Sequence, residues 1–240
     1  MRTWTILFFA IITFNSKGQI VGLKIDGGVS QFSDNLYDHT FGSLKSYPMP
    51  CGQAGVFYSQ NIRSHEVFGI EILFSQFEGR TLETDTYGSF TANGNSTPVI
   101  YNSEHLRHVS YLSFPVYYGF NIKKISICAG LQPALTLASR GESRLQSNFD
   151  PTTGTLGNYV VNSSTNKLYI KDGSLGEIVK IIYNFNSVLA VEAGYYYGLS
   201  NIYRRPNAEA VWKFQMATVG IRINFINVGK SKHNPTVGKQ

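Results

Sequence analysis

Six ionisable residues sit where charge is least expected. Lys24 and Asp26 are flanked by Leu23, Ile25 and Gly27, and Glu71 lies between Ile70 and Ile72. Lys180 lies between Val179 and Ile181, Glu192 between Val191 and Ala193, and Arg222 between Ile221 and Ile223. Three are cationic and three anionic, so the set can neutralise itself. Two chemistries use such a set: a salt-bridged plug that locks elements together, or a proton or ion path. The plug is the stronger expectation where the enclosing space is only wide enough for side chains.

His108-Val109-Ser110 is the second constellation, because it could supply a nucleophile and its base. Acyl transfer also needs a carboxylate to orient the histidine. Glu66 and Glu104 are nearby in sequence, but no spacing aligns them with the pair. The expectation is therefore no catalytic residue and no enzyme, with His108 and Ser110 as polar interface residues. His39, His65, His105, His108 and His233 are scattered, and Cys51 and Cys128 lack partners at ligand spacing, so no metal or other cofactor is expected. The topology below separates the two cysteines too far for a disulfide.

Positioning these groups falls to segments of strict alternation, the signature of strands with two unlike faces. Eight are expected: Val21–Gln31, Cys51–Ser59, Val67–Phe77, Arg107–Phe120, Ile125–Leu137, Gly176–Tyr183, Val188–Gly198 and Trp212–Phe225. One face is apolar and uncharged mid-strand; the other carries the six charges. Short connections (Gln60–His65, Asn121–Lys124, Asn184–Ser187) alternate with long polar ones (Phe32–Pro50, Glu78–Leu106, Ala138–Gly173, Leu199–Val211). That asymmetry, with charge inside and apolar residues outside, fits an all-β, eight-stranded antiparallel up-and-down transmembrane β-barrel. A soluble barrel would invert the faces. Aromatics near the strand ends, such as Tyr118, Phe120, Tyr183, Phe185 and Trp212, suit interfacial girdles.

Residues 1–18 read as a signal peptide: Arg2, then an apolar run from Trp4 to Phe14, then small residues before Gln19. The barrel is expected over 19–225 and a polar tail over 226–240, with Lys230, Lys232 and Lys239. Removing Arg2 and Lys17 lowers the formal charge from +6 to +4. No basic cluster is dense enough for nucleic acid.

The segments Gly22-Leu23-Lys24-Ile25-Asp26-Gly27-Gly28-Val29-Ser30, Gly69-Ile70-Glu71-Ile72-Leu73-Phe74-Ser75-Gln76 and Tyr111-Leu112-Ser113-Phe114-Pro115-Val116 resemble the PorT-like family of small outer-membrane β-barrel proteins. Ala129-Gly130-Leu131-Gln132-Pro133 and Val191-Glu192-Ala193-Gly194-Tyr195 are similar to the family's fifth and seventh strands. Ser113 and Gly194 depart from it, replacing an acidic residue and an arginine that members often carry. The resemblance implies a cell outer-membrane location and contact with outer-membrane lipid, including lipopolysaccharide. It also implies handling by the barrel-assembly machinery and an envelope or secretion protein partner. The expected role is structural or interactive, with the long loops, the largest over 138–173, as a binding surface. The alternatives are a small transport barrel for ions or small solutes and a lipid A-modifying outer-membrane hydrolase.

Overall fold

The computed structural model describes residues 18–34, 42–92, 95–149, 156–166, 170–202 and 212–228. All of the expected signal peptide but Gly18, and most of the expected tail, lie outside them. Ten strands follow in order: β1 (Gln19–Asp34), β2 (Gly42–Arg63), β3 (Glu66–Ala92), β4 (Asn95–Ser113) and β5 (Val116–Ile122). Then come β6 (Ile125–Phe149), β7 (Leu156–Asn166), β8 (Gly173–Asn184), β9 (Leu189–Gly198) and β10 (Trp212–Val228).

All pairings are antiparallel, and the sheet closes where β1 meets β10, with Lys24 opposite Arg222 and Ile25 opposite Ile221. The ring has eight staves, because β4 and β5 together form one: both pair with β3 on one side and β6 on the other. The break falls at Phe114-Pro115, since proline has no N–H to give the ladder. Hydrogen bonding continues across it: the Phe114 amide donates to the Pro133 carbonyl (2.8 Å) and the Glu71 amide to the Pro115 carbonyl (2.9 Å).

Three of the expected long loops are in large part strand, which corrects the sequence expectation. β2 starts at Gly42 and pairs with β3 from Asp85 downward, and β3 and β4 run on together to Ala92 opposite Asn95. Inside 138–173, β6 continues to Phe149 and pairs with β7, which lies outside the ring. Beyond the barrel these strands form a sheet in the order β2-β3-β4-β6-β7. Runs such as Thr81-Leu82-Glu83-Thr84-Asp85 have no clean apolar face, so periodicity does not reveal them; the ladder's own hydrogen bonds hold them extended. β10 also runs to Val228, opposite Gln19, three residues past Phe225.

The two faces separate sharply. Ile25 and Val219 are each 63% exposed on the outside, and Leu23, Val29, Phe74, Leu131, Val179 and Phe225 join them there. Each such side chain stabilises by about 1.5–3 kcal/mol when apolar surroundings replace water, so the wall is built for lipid. No described helix is long and apolar enough to cross a membrane. Strands with every backbone group paired around a closed ring are the other way across.

Candidate functional site

The ring brings all six charges together in one buried cluster. Lys24 Nζ lies 2.8 Å from Asp26 Oδ2, 3.2 Å from Glu71 Oε2 and 2.6 Å from Glu192 Oε1. Lys180 Nζ reaches the same two glutamates, at 2.6 Å and 3.2 Å. Arg222 Nη1 donates to Glu192 Oε2 (2.8 Å), while Nη2 donates to the Tyr117 hydroxyl (2.9 Å) and sits 3.6 Å from Glu71 Oε1. Gln53 Nε2 donates to Asp26 Oδ2 (2.7 Å). The Arg222 guanidinium also lies 3.8 Å from the Phe57 ring centre. The charges come from β1, β3, β8, β9 and β10, so the cluster ties non-adjacent staves together.

Glycines make room for the rings that line this cluster. Tyr117 packs over Gly69, its cross-strand partner, where any Cβ would overlap the phenol ring. Tyr196 covers Gly176 in the same way.

Toward the long-loop end, an aromatic layer lies over the charges. Phe214 sits at its centre, 4.2 Å from Phe77, 4.9 Å from Tyr196 and 5.5 Å from Tyr111 between ring centres. Beyond it, Arg107 stacks on Trp212 at 4.3 Å and donates to Thr81 Oγ1 at 2.7 Å. Buried Ile170 and Ile202 complete the cap; the Lys171 amide donates to the Ile202 carbonyl (2.8 Å), and the Ile202 amide to that of Trp212 (3.0 Å). Both layers are buried, with none of the six charged residues more than 4% exposed.

Outside the barrel, the structure supplies what the sequence lacked beside His108. Glu78 pairs directly with His108 across β3 and β4, and its Oε1 lies 3.2 Å from His108 Nδ1. The expectation that no carboxylate aligns with the His108–Ser110 pair is therefore corrected. The signal was faint: Glu78 shares a face with Phe74 and Gln76, but only the register of the β3–β4 hairpin brings it opposite His108. Glu104 instead pairs with Arg80, and Glu66 with Arg63 (3.4 Å). On the opposite face, His105 Nδ1 lies 2.9 Å from Ser143 Oγ. Burial, helped by the Arg107 charge, holds the His105 imidazole below its ordinary range. Cys51 and Cys128 are free thiols, and no described group of side chains has the make-up of a metal centre.

A family model described as "Outer membrane protein beta-barrel domain" matches residues 20–204. The chain belongs to that family. It is an outer-membrane β-barrel, so the lipid-facing wall sits in the outer membrane. Among solved structures it is similar to Ail, the attachment invasion locus protein of Yersinia pestis, crystallised with the heparin analogue sucrose octasulfate. That pair shares 14% identity over 88% of this chain and 100% of Ail, with a TM-score of 0.41. It is similar to Neisserial surface protein A at 12% identity over 87% and 100% of the two chains, with a TM-score of 0.37. It is also similar to the outer membrane protease OmpT of Escherichia coli, at 11% identity over 86% and 97%, with a TM-score of 0.36. No curated protein matches the chain.

Proposed function

We propose that this barrel is a closed structural and interaction protein of the outer membrane. The observation that carries the reading is the self-neutralised cluster of Lys24, Asp26, Glu71, Lys180, Glu192 and Arg222, sealed on the long-loop side by Phe77, Tyr111, Tyr196 and Phe214. A charge taken out of water is tolerable only when paired and hydrogen-bonded, and each cation here has two or more such partners. An aqueous transport path would need these groups solvated. The sheet of β2, β3, β4, β6 and β7 rises past the lipid-facing wall and offers polar strand surface to an envelope or external partner. The opening-strand and Tyr-Leu-x-x-Pro resemblances support placing the chain in the PorT-like branch. Residues 1–18 serve in this account as the export signal, and the tail after the last strand lies in the periplasm.

Single-channel recording in planar bilayers tests the closed lumen. The folded protein gives no steady openings, while a Lys24→Ser/Glu192→Ser/Phe214→Ala variant that still folds gives them. Steady openings of the unmodified protein would establish the transport reading instead.

A further inference from the structure

On the outer wall, a patch of polar side chains borders the lipid-facing surface on the long-loop side. The outward rows of β3, β4 and β6 climb as Phe74–Leu112–Leu135, then Gln76–Ser110–Ala138, then Glu78–His108–Arg140. The lowest is apolar, with Phe74 47% and Leu135 53% exposed. Counted from Phe120 near the short turn, Ser110 stands ten residues up the stave. At about 3.3 Å per residue and the usual barrel tilt of roughly 40°, that is close to the ~25 Å height of an apolar band. Ser110 thus marks the upper edge of the band, where acyl-ester carbonyls of an outer-leaflet lipid lie, and His108 stands one row above.

We propose that Ser110, His108 and Glu78 form an acyl-ester hydrolase site on this wall, acting on an ester-linked acyl chain of an outer-leaflet lipid. Glu78 engages Nδ1 of His108 at 3.2 Å, which leaves Nε2 as the nitrogen available to Ser110. Side chains two apart on one strand project from the same face about 6.6 Å apart, a gap an imidazole and a hydroxymethyl group together span. Gln76, exposed and directly across from Ser110, brings a neutral N–H donor to the place where an oxyanion would form.

Glu78 is also held in place. Here β2 bulges at 49–51, between Pro48 and Gly52, and leaves the Glu78 backbone without a partner on the β2 side. Ser30 Oγ takes over, accepting from the Glu78 amide (3.0 Å) and donating to its carbonyl (2.6 Å). The bulge and Ser30 together fix the carboxylate's strand position from inside the barrel.

The reaction balances without a co-reactant other than water. Ser110 Oγ adds to the ester carbonyl carbon as His108 Nε2 takes its proton. The ester C–O bond breaks, the leaving alkoxide takes that proton from His108, and an acyl-Ser110 ester remains. Water, deprotonated by His108, then adds to the acyl carbon, and Ser110 leaves with the proton. The products are a lipid alcohol and a free fatty acid.

The test uses the full mature barrel, refolded into phosphatidylethanolamine liposomes with or without lipid A. Folding is verified by heat-modified gel mobility, and released fatty acid is read by mass spectrometry. The expected result is fatty acid release that falls at least about 100-fold in Ser110→Ala and in Glu78→Gln. Ser143→Ala, which removes the His–Ser contact on the opposite face, leaves it unchanged. Release only when lipid A is present assigns the acyl chains to lipid A; release from both liposomes includes glycerophospholipid. The proposal is overturned if the folded protein releases no fatty acid from either liposome, if folded Ser110→Ala keeps its activity, or if Ser143→Ala loses it. None of these results bears on the closed lumen, which lies on the other side of the wall.

Discussion

Replacing Lys24 with methionine tests the energetics of the cluster. Methionine keeps most of the apolar stem but deletes the charge that lies within 3.2 Å of three carboxylates. Glu71 and Glu192 keep Lys180 and Arg222. Among the described residues, Asp26 keeps the Gln53 amide but has no other ion pair. Three buried carboxylates then face two cations. Removing one partner from a buried ionic network costs about 3–5 kcal/mol. With a guanidinium slope of roughly 2–6 kcal/mol per molar, the unfolding midpoint falls by about 1 M. Adding Asp26→Asn restores neutrality without disturbing the glutamates. The double variant should therefore recover stability, with a coupling of about 0.5–3 kcal/mol between the two sites. The assay is reversible guanidinium unfolding in lipid vesicles, followed by tryptophan fluorescence. A Lys24→Met cost under about 1 kcal/mol, or a double variant that shows no coupling, would refute the claim that charge balance holds the cluster.

Two further predictions use the same unfolding assay. Gly69→Val drives a side chain into the Tyr117 ring and loosens its bond to Arg222; it should cost about 1–3 kcal/mol, partly recovered by Tyr117→Ala, and equal costs with and without that second change would contradict the packing. His105 lies above the lipid-facing wall with its imidazole held below the ordinary value of 6.5, so as pH falls through that value the unfolded chain protonates first and stability declines. His105→Asn should remove that slope, and an unchanged slope would contradict it.

The wall and the charge cluster were legible because a strand has a period of two. Once Leu23, Ile25 and Val29 face lipid, Lys24 and Asp26 must face inward, and the same holds for Glu71, Lys180, Glu192 and Arg222. Their meeting at one level needed only closure of the ring in register. The aromatic layer was half legible: Tyr111 and Tyr196 fall on the inward face of expected strands, whereas Phe77 and Phe214 sit near the ends of theirs and Phe32 lies one residue beyond. The outer sheet was not legible, because water can solvate both of its faces and no apolar stripe is required. Missing that sheet meant missing the β3–β4 register, and with it the partnership of Glu78 with His108.

The barrel is closed, and its apolar wall lies in the outer membrane. Gel mobility in SDS, with and without boiling, of the protein taken from an outer-membrane fraction tests that claim most directly. A folded, closed sheet resists SDS when unheated and migrates apart from the boiled chain, and this shift is the predicted result. A single mobility under both conditions, with the protein recovered in the soluble periplasm, would contradict the account.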